Sequence, residues 1–579
     1  MVDISQPFVI DNAPSERFPV YTRANTGEVA GGVITPLRWT LNGGMVVESA
    51  WRRALEEFGA FDETEFRPDV LDIQGVFHGY IYINLSVQRV FGVRMPGASA
   101  DLMDRTYLGD VTAPAYAAQP DDDRPECTDR ILASVGRVMS ERDRPDITSE
   151  DREEAARLRA ARPDLTALGD RELLEHAQAV VKERYGSVLQ KHLRMVYESS
   201  IVTGALDELA ADLGDPTLAV RLTGGLGDIA SAAPSQVLWD LSRLIVQSPP
   251  LTAEFERGVD GLDDRLRAST DSAMRRFVEW FDRFCYEFGS RSTDEWAPMP
   301  KTWESHHGVP LGMIDRLRLQ DESKNPQLQS RRLRQDREAL IGTLRTRHAD
   351  DAALLARIES VLATTDLYMR AREQSKTNTV RVLHEARMPL FELARRFVER
   401  GLLARADDLN MLTVTELEDL LATPGRYTDR IAERREWIDR LDELEPPFIS
   451  HGEIPPVTEW PEKKAPAISM AAPGDVLEGI GACPGVAEGI ARVIFDPVDA
   501  PDLEPGEILV APVTDPGWTP IFTSAAAVVV NVGSPLSHAA IVSRELGMPC
   551  VLGVREATKR IANGTRITVD GTNGTVTVH

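Results

Sequence analysis

A Pro-rich, aperiodic stretch between 449 and 475 (Ile454-Pro455-Pro456, Trp460-Pro461, Pro466, Pro473) separates two kinds of sequence that no single secondary-structure pattern can accommodate. Proline fixes φ and removes a backbone donor, so such a run reads as a hinge linker. Upstream, from about Asp146 to Glu445, apolar residues recur at helical spacing, as in Leu173, Leu174, Ala177, Val180 and Val181, and again in Phe277, Trp280, Phe281, Phe284 and Phe288. Thr148-Ser149-Glu150-Asp151 has the form of a capping box. Thr415-Glu416-Leu417-Glu418 opens a segment that Pro424-Gly425 closes. Nearer the start, Tyr80-Ile81-Tyr82-Ile83-Asn84-Leu85 alternates and is aromatic, which predicts a strand. Downstream of Val476 the pattern changes to short β-type runs at 507–511, 527–532, 549–554, 566–570 and 575–578. One helix lies at 537–546, and a tight turn at Asn573-Gly574. The expectation is a multidomain chain: a large, mainly α domain with some N-terminal β over 1–448, a hinge over 449–475, and a small α/β domain over 476–579.

Composition narrows the classes of function. The 579 residues, 42% hydrophobic, are enough for roughly two to four compact units. A formal charge of -26 argues against a nucleic-acid groove or an anionic membrane surface as partner. Cys127, Cys285, Cys483 and Cys550 are scattered, without the spacing of a zinc site or a disulfide framework, so no metal is expected and a reducing cytoplasm fits. No charged start with an apolar run follows Met1, and nowhere do about 18 apolar residues stand in a row.

The segment with the strongest chemical content is Gly533-Ser534-Pro535-Leu536-Ser537-His538-Ala539-Ala540-Ile541-Val542-Ser543-Arg544-Glu545-Leu546-Gly547-Met548-Pro549. The apolar run Val528-Val529-Val530 feeds a small-residue loop that sets Ser537 as N-cap and His538 as first helical residue. A histidine there sits beside unpaired backbone N–H groups and the positive end of the helix dipole. These can hold a phosphoryl dianion on the imidazole and favour the neutral, nucleophilic ring. This stretch resembles the phosphohistidine swivelling domain of phosphoenolpyruvate synthase, pyruvate phosphate dikinase and rifampin phosphotransferase, a β/β/α fold. The likeness extends over about 479–578 through Pro484-Gly485, Thr514-Asp515-Pro516-Gly517-Trp518-Thr519-Pro520 and Asp570-Gly571, with Ser534 standing where many relatives carry a second glycine.

The resemblance implies that His538 takes a phosphoryl group from ATP on an ATP-grasp domain and that the small domain then swings to a second site. It gives Gly533 and Ser537 the phosphohistidine loop. For Arg544 it implies contact with the phosphoryl group or anchorage of the helix, with a surface pairing to Glu545 or another carboxylate equally open. A linker of about 25 residues spans roughly 25–30 Å, enough for such a swing.

No Walker-type phosphate loop and no ATP-grasp stretch is legible, so ATP with its Mg2+ is expected on a separate ATP-grasp subunit. Gly225-Leu226-Gly227-Asp228 mimics a dinucleotide fingerprint but follows no strand, and reads as a loop between helices. The N-terminal part resembles the acceptor-binding domain of rifampin phosphotransferase. The shared pieces are Phe18-Pro19-Val20-Tyr21-Thr22-Arg23, Tyr82-Ile83-Asn84-Leu85, Phe288-Gly289-Ser290-Arg291 with Glu295-Trp296, and Met369-Arg370-Ala371-Arg372-Glu373-Gln374-Ser375-Lys376. Arg372 and Lys376, four apart on a helix, share a face, either a solvated one or one facing the incoming phosphoryl group as the resemblance implies. Gly224 and Gly225 offer backbone N–H groups to an anion, and Arg291 and Glu295 are an acceptor-site pair or a buried structural one. His78, His306, His307 and His384 are candidate general bases. Likeness to rifampin phosphotransferase and to phenylphosphate synthase, whose functions are divided among subunits, implies a phenolic or aromatic hydroxyl acceptor. A hydroxyphenyl ketone such as acetovanillone is one example, with an antibiotic hydroxyl or a purely regulatory phosphohistidine as the alternatives.

Overall fold

The computed structural model describes residues 2–109, 111–141, 147–215, 217–227, 229–423, 425–463, 469–495, 503–533 and 537–579. Asp146, Asp228, Pro424, Pro466 and the loop residues Ser534, Pro535 and Leu536, all of which figure in the reading above, lie outside the described residues. The chain divides into two compact units. The first comprises Met1–Val202, Trp296–Met299 and Ser375–Ala465, and the second Thr203–Glu295, Pro300–Gln374 and Pro466–His579. This division differs from the boundaries expected at 448 and 476. One cut falls inside the helix Ala352–Glu399, between Gln374 and Ser375, where no change of composition marks it.

In the first unit a small antiparallel sheet of order β2-β3-β1-β4 is formed by β1 (Val20–Thr22), β2 (Gln74–Phe77), β3 (Tyr80–Asn84) and β4 (Ile449–His451). β2 and β3 join through His78 and Gly79, both at positive φ (45° and 74°), the conformation that a two-residue hairpin requires. The strand expected at Tyr80 ends one residue early. Asn84 caps the helix Leu85–Arg94 by accepting from the Val87 N–H at 3.2 Å. β4 corrects the expected linker: residues 449–451 pair with β1, and Val457 and Trp460 are buried in the sheet's apolar core. The hinge character therefore does not extend over 449–463.

Helices pack beside this sheet. Leu173, Leu174, Ala177, Val180 and Val181 form one side of a core completed by Val382, Leu383, Ala386, Leu390, Leu393 and Phe397, spaced three and four apart along Ala352–Glu399. Thr148 precedes the helix Ser149–Ala160 but its side chain makes no cap, so the box expected there does not form. The segment expected to open at Thr415 opens two residues earlier, and it does so with a capping box. Thr413 accepts from the Glu416 N–H at 3.2 Å and the Glu416 carboxylate accepts from the Thr413 N–H at 3.0 Å, opening the helix Val414–Ala422.

The second unit has a helical part around Phe277, Phe281, Phe284 and Trp303, and a mixed eight-stranded sheet. The sheet order is β5-β12-β11-β7-β8-β9-β10-β6, from β5 (Val476–Glu478), β6 (Ile480–Cys483), β7 (Val486–Val493), β8 (Ile508–Ala511), β9 (Ala527–Val530), β10 (Cys550–Leu552), β11 (Arg566–Asp570) and β12 (Thr575–Val578). β7 serves two partners, pairing antiparallel with β11 by its first half and parallel with β8 by its second. β8 and β9 are apolar at every position because both faces are covered. Leu509, Ala511, Val528 and Val530 face one core, and Ile508, Val510, Ala527 and Val529 the other.

Candidate functional site

β9 and β10 run parallel, so the chain between them must cross over, and it does so through the helix His538–Leu546. Gly547 ends that helix at φ 63°, a left-handed conformation that suits glycine. His538 is thereby delivered as the first helical residue at the carboxyl end of β9. Ser537 has the extended backbone of an N-cap (φ −70°, ψ 162°), but its side chain caps nothing. Its Oγ is buried with no hydrogen-bond partner among the described residues, and a Cβ at Gly533 would stand 3.2 Å from it. The N–H groups of the first turn are therefore not taken by a serine cap, which is the arrangement of an anion site.

The imidazole is held from both sides. Nδ1 of His538 lies 3.2 Å from the Thr514 hydroxyl and Nε2 3.0 Å from the Thr519 hydroxyl, with the Phe522 ring edge-on at 5.8 Å. A neutral imidazole offers one donor and one acceptor nitrogen, so one threonine donates to the ring and the other accepts from it. Both threonines are buried. The nitrogen carrying the lone pair is thus presented to a hydroxyl that can turn to donate to a phosphoryl oxygen once the ring is phosphorylated. The segment Thr514-Asp515-Pro516-Gly517-Trp518-Thr519 was legible as part of a familiar pattern, but sequence reasoning gave its threonines no role.

Arg544 is buried, and its Nε donates to the Ala482 carbonyl of β6 at 2.8 Å. Burial pushes its pKa down, and the groups facing it include the Cys483 and Cys550 thiols and Asp207. The arrangement is that of an anchor between helix and sheet, not of a surface pair. Its neighbour Glu545, unassigned from sequence, is equally buried and accepts from the Leu226 N–H at 3.2 Å, and Gly227 N–H also donates to it. In this structure the backbone N–H groups of the glycine loop face the Glu545 carboxyl. Gly224 lies against Arg544, where a Cβ would stand 3.5 Å from the Arg544 carbonyl. Gly225, at φ 65°, lies against Leu333, where a Cβ would stand 2.6 Å from the backbone.

Arg291 and Glu295 form a buried ion pair at 2.9 Å, and Arg291 also donates to the Ala230 carbonyl at 3.1 Å, just before the helix Ala233–Val246. Ser292, next to Arg291, touches the loop that holds His538: a Cβ at Gly517 would stand 2.5 Å from the Ser292 carbonyl. Arg372 and Lys376 are half-buried on the helix Ala352–Glu399, Arg372 in the second unit and Lys376 in the first. One turn before Arg372, Met369 packs with Leu226, Ile229 and Ile541 of the His538 helix.

The candidate bases are dispersed. His78 occupies the β2–β3 turn edge-on to Trp460, and burial lowers its pKa. His306 bonds the Ser305 hydroxyl at 2.9 Å, His307 pairs with Asp263 at 2.8 Å, and His384 is buried in the first unit. His192, which sequence reasoning missed, is buried in that unit too. Its Nδ1 lies 2.9 Å from the Ser375 hydroxyl and its ring 6.0 Å from Trp296. Asp62, Glu65 and Cys127 come close enough to one another to share a cation, but guanidinium groups already supply the positive charge: Arg94 on Glu65 at 2.7 Å, Arg124 on Asp62 at 3.0 Å and Arg130 on Asp62 at 2.8 Å. Among the described residues no helix is long and apolar enough to cross a membrane.

Comparison with known proteins agrees with this geometry. Residues 503–574 match the family described as PEP-utilising enzyme, mobile domain, and residues 191–373 match rifampicin phosphotransferase fourth domain. The expected pairing of a phosphohistidine-type mobile domain with a rifampicin phosphotransferase-like region is therefore present in this chain. An uncharacterised protein of Mycobacterium tuberculosis is 39% identical over 39% of this chain and 25% of its own length. The rifampicin phosphotransferase of Streptomyces sviceus is 28% identical over 64% of this chain and 42% of its own. The prodigiosin synthesizing transferase PigC of Serratia marcescens is 30% identical over 62% and 40%. Each match takes in less than half of the relative.

Proposed function

We propose that this chain is the acceptor-binding and phosphohistidine part of an ATP-dependent phosphotransferase, in which His538 carries the phosphoryl group. The observation that carries the reading is the imidazole at the first position of an uncapped helix, each ring nitrogen on a buried threonine hydroxyl. In the first half-reaction the lone pair of His538 attacks a phosphorus of ATP. A P–N bond forms, the P–O bond to the nucleotide breaks, and the charge leaves with the nucleotide. In the second half the acceptor hydroxyl loses its proton to a base, its oxygen attacks phosphorus, and the P–N bond breaks back to neutral imidazole. Positive charge facing the equatorial oxygens lowers the barrier, and we assign this to Arg372 and Lys376. The packing of Met369 on Ile541 supports Arg372, since it brings the His538 helix within one turn of that residue.

ATP and its Mg2+ belong, in this reading, to a separate ATP-grasp subunit, and the mobile domain moves between that subunit and the acceptor. The acceptor is a phenolic or aromatic hydroxyl, of which a hydroxyphenyl ketone such as acetovanillone is an example. A rifampicin-like antibiotic hydroxyl is the second reading, favoured by the relative of that name. The test is reconstitution of the chain with an ATP-grasp partner and labelled ATP. Wild-type protein is expected to gain an acid-labile phosphate that passes to a phenol, and His538→Ala to gain none. Label that reaches His538 but no hydroxyl compound would leave a regulatory phosphohistidine instead, and label that never reaches His538 would end the proposal.

A further inference from the structure

Glu545 is the residue of the His538 helix that the mechanism does not use, and the helical part of the second unit is shaped to receive it. Its carboxylate, about 5% exposed, accepts the Leu226 N–H at 3.2 Å and the Gly227 N–H. The loop that offers them holds Gly225 and Gly227 both at φ 65°, a conformation that side chains resist. The loop is fastened from behind by Arg370, which donates to the Leu226 carbonyl at 2.6 Å. Around the carboxylate a small apolar cleft is closed by Leu226, Ile229, Met369 and Ile541. Gly547, at the end of the His538 helix, seats on Leu333, where a Cβ would meet its side chain at 3.3 Å.

We infer that Glu545 and the Gly224–Gly227 loop are the release catch by which the phosphohistidine domain docks on, and leaves, the acceptor-side helices. Glu545 acts as a positioning residue: it touches no reacting atom and sets how often His538 is presented there. The catch rests on the proposed shuttle for its purpose, but its existence can be tested without any phosphoryl transfer.

The docking is reversible because the seat is costly for an ionised carboxylate. Burial raises the Glu545 pKa from 4.5 to about 7, against the two backbone N–H groups and the positive charges of Arg370 and Arg334, which lower it. The other charged groups nearby are Arg544, on the same helix, and Asp207, which faces Arg544. A carboxyl whose pKa is higher docked than free binds its proton more tightly when docked. Docking is therefore strongest where the carboxyl is protonated in both positions, weakens as pH rises towards about 7, and is level above that. If the undocked carboxyl titrates at its ordinary value, the docking equilibrium changes by about thirtyfold between pH 5.5 and pH 8.

The test uses the full chain with spin labels at Arg283→Cys and Arg566→Cys, both exposed positions, the four native cysteines being buried. Distances between the labels are measured by electron-electron double resonance at pH 5.5 and pH 8. Wild-type protein is expected to show one distance at the lower pH and a second, growing population at the higher. Glu545→Gln, neutral at both, is expected to stay docked at both. Gly225→Ala attacks the same seat from the other side and is expected to populate the undocked distance at both. Distances that ignore pH in wild-type protein, or a Gly225→Ala variant that stays fully docked, would overturn the catch. Because neither ATP nor acceptor is present, these outcomes are independent of whether His538 is ever phosphorylated.

Discussion

The Thr519 hydroxyl stands 3.0 Å from Nε2 of His538, and the Thr514 hydroxyl 3.2 Å from Nδ1, so the ring cannot rotate without breaking two hydrogen bonds at once. Each such bond contributes about 1 kcal/mol net, and together they hold one tautomer and one ring orientation.

Thr519→Val is close to isosteric in a fully buried position and removes only the hydroxyl from Nε2. Phosphorylation of His538 is expected to slow by about tenfold, with the fold intact. Nitrogen NMR of the ring should report the change directly, as a fixed tautomer in wild-type protein and averaged ring signals in the variant. Unchanged ring signals and an unchanged rate would mean that Thr519 does not hold the imidazole.

Arg544→Ala removes a buried guanidinium that donates to the Ala482 carbonyl at 2.8 Å and leaves a hole between helix and sheet. The expected loss is about 3 kcal/mol, and about half that for Arg544→Met, which keeps the bulk. Urea unfolding monitored by circular dichroism measures both. A residue that served only to touch the phosphoryl group would leave the urea midpoint where it was.

How much of this was legible beforehand follows from what each feature depends on. His538 could be read because its strand, loop, helix and Gly547 stop are consecutive in the chain. β8 to β12 could be read for the same reason, being short apolar runs between turn residues. β5, β6 and β7 were missed because Gly479, Gly481 and Gly489 interrupt their alternation. Those glycines are dictated by close backbone approach, as at Gly481, where a Cβ would stand 2.5 Å from the Gly571 carbonyl. β4 reads as linker in the sequence because its partner β1 lies more than 400 residues away, a pairing with no local signal. The roles of Thr514 and Thr519 depend on a loop folding back onto the His538 helix. That of Glu545 depends on a loop some 320 residues upstream. None of these dependences is periodic, so only a general motif likeness hinted at them.

Acid should weaken the first unit in a defined window. Burial alone would raise the Glu416 pKa, but hydrogen bonds from Arg434, the Thr413 N–H and Arg430 outweigh it and bring the pKa from 4.5 down to about 2. A depressed carboxyl stabilises the fold above its unfolded value and loses that contribution as pH falls through its folded value, here between 4.5 and about 2. Discounted for solvent screening, the contribution is about 2 kcal/mol. The stability gap between wild-type protein and Glu416→Gln should be widest near neutral pH and close as the pH approaches 2. A gap that stays constant over that range would show that the charge on Glu416 is irrelevant to it.

Arg372 and Lys376 separate the two halves of the proposed reaction. Both lie on the helix whose Met369 packs on Ile541, and helical spacing places them on one face of it. If they neutralise charge on the transferring phosphoryl group, their loss should spare the first half-reaction, which occurs at the ATP site. Arg372→Ala and Lys376→Ala are therefore each expected to load His538 at the wild-type rate and to pass the phosphate on between about a hundredfold and a thousandfold more slowly. Arg372→Lys should recover only part of the loss, because a guanidinium grips two phosphoryl oxygens where an ammonium offers a point charge. Single-turnover transfer from pre-phosphorylated protein to a phenol isolates this step. A variant that loads slowly but transfers normally would move the residue to the other half of the cycle, and one that does both normally would remove it from the chemistry.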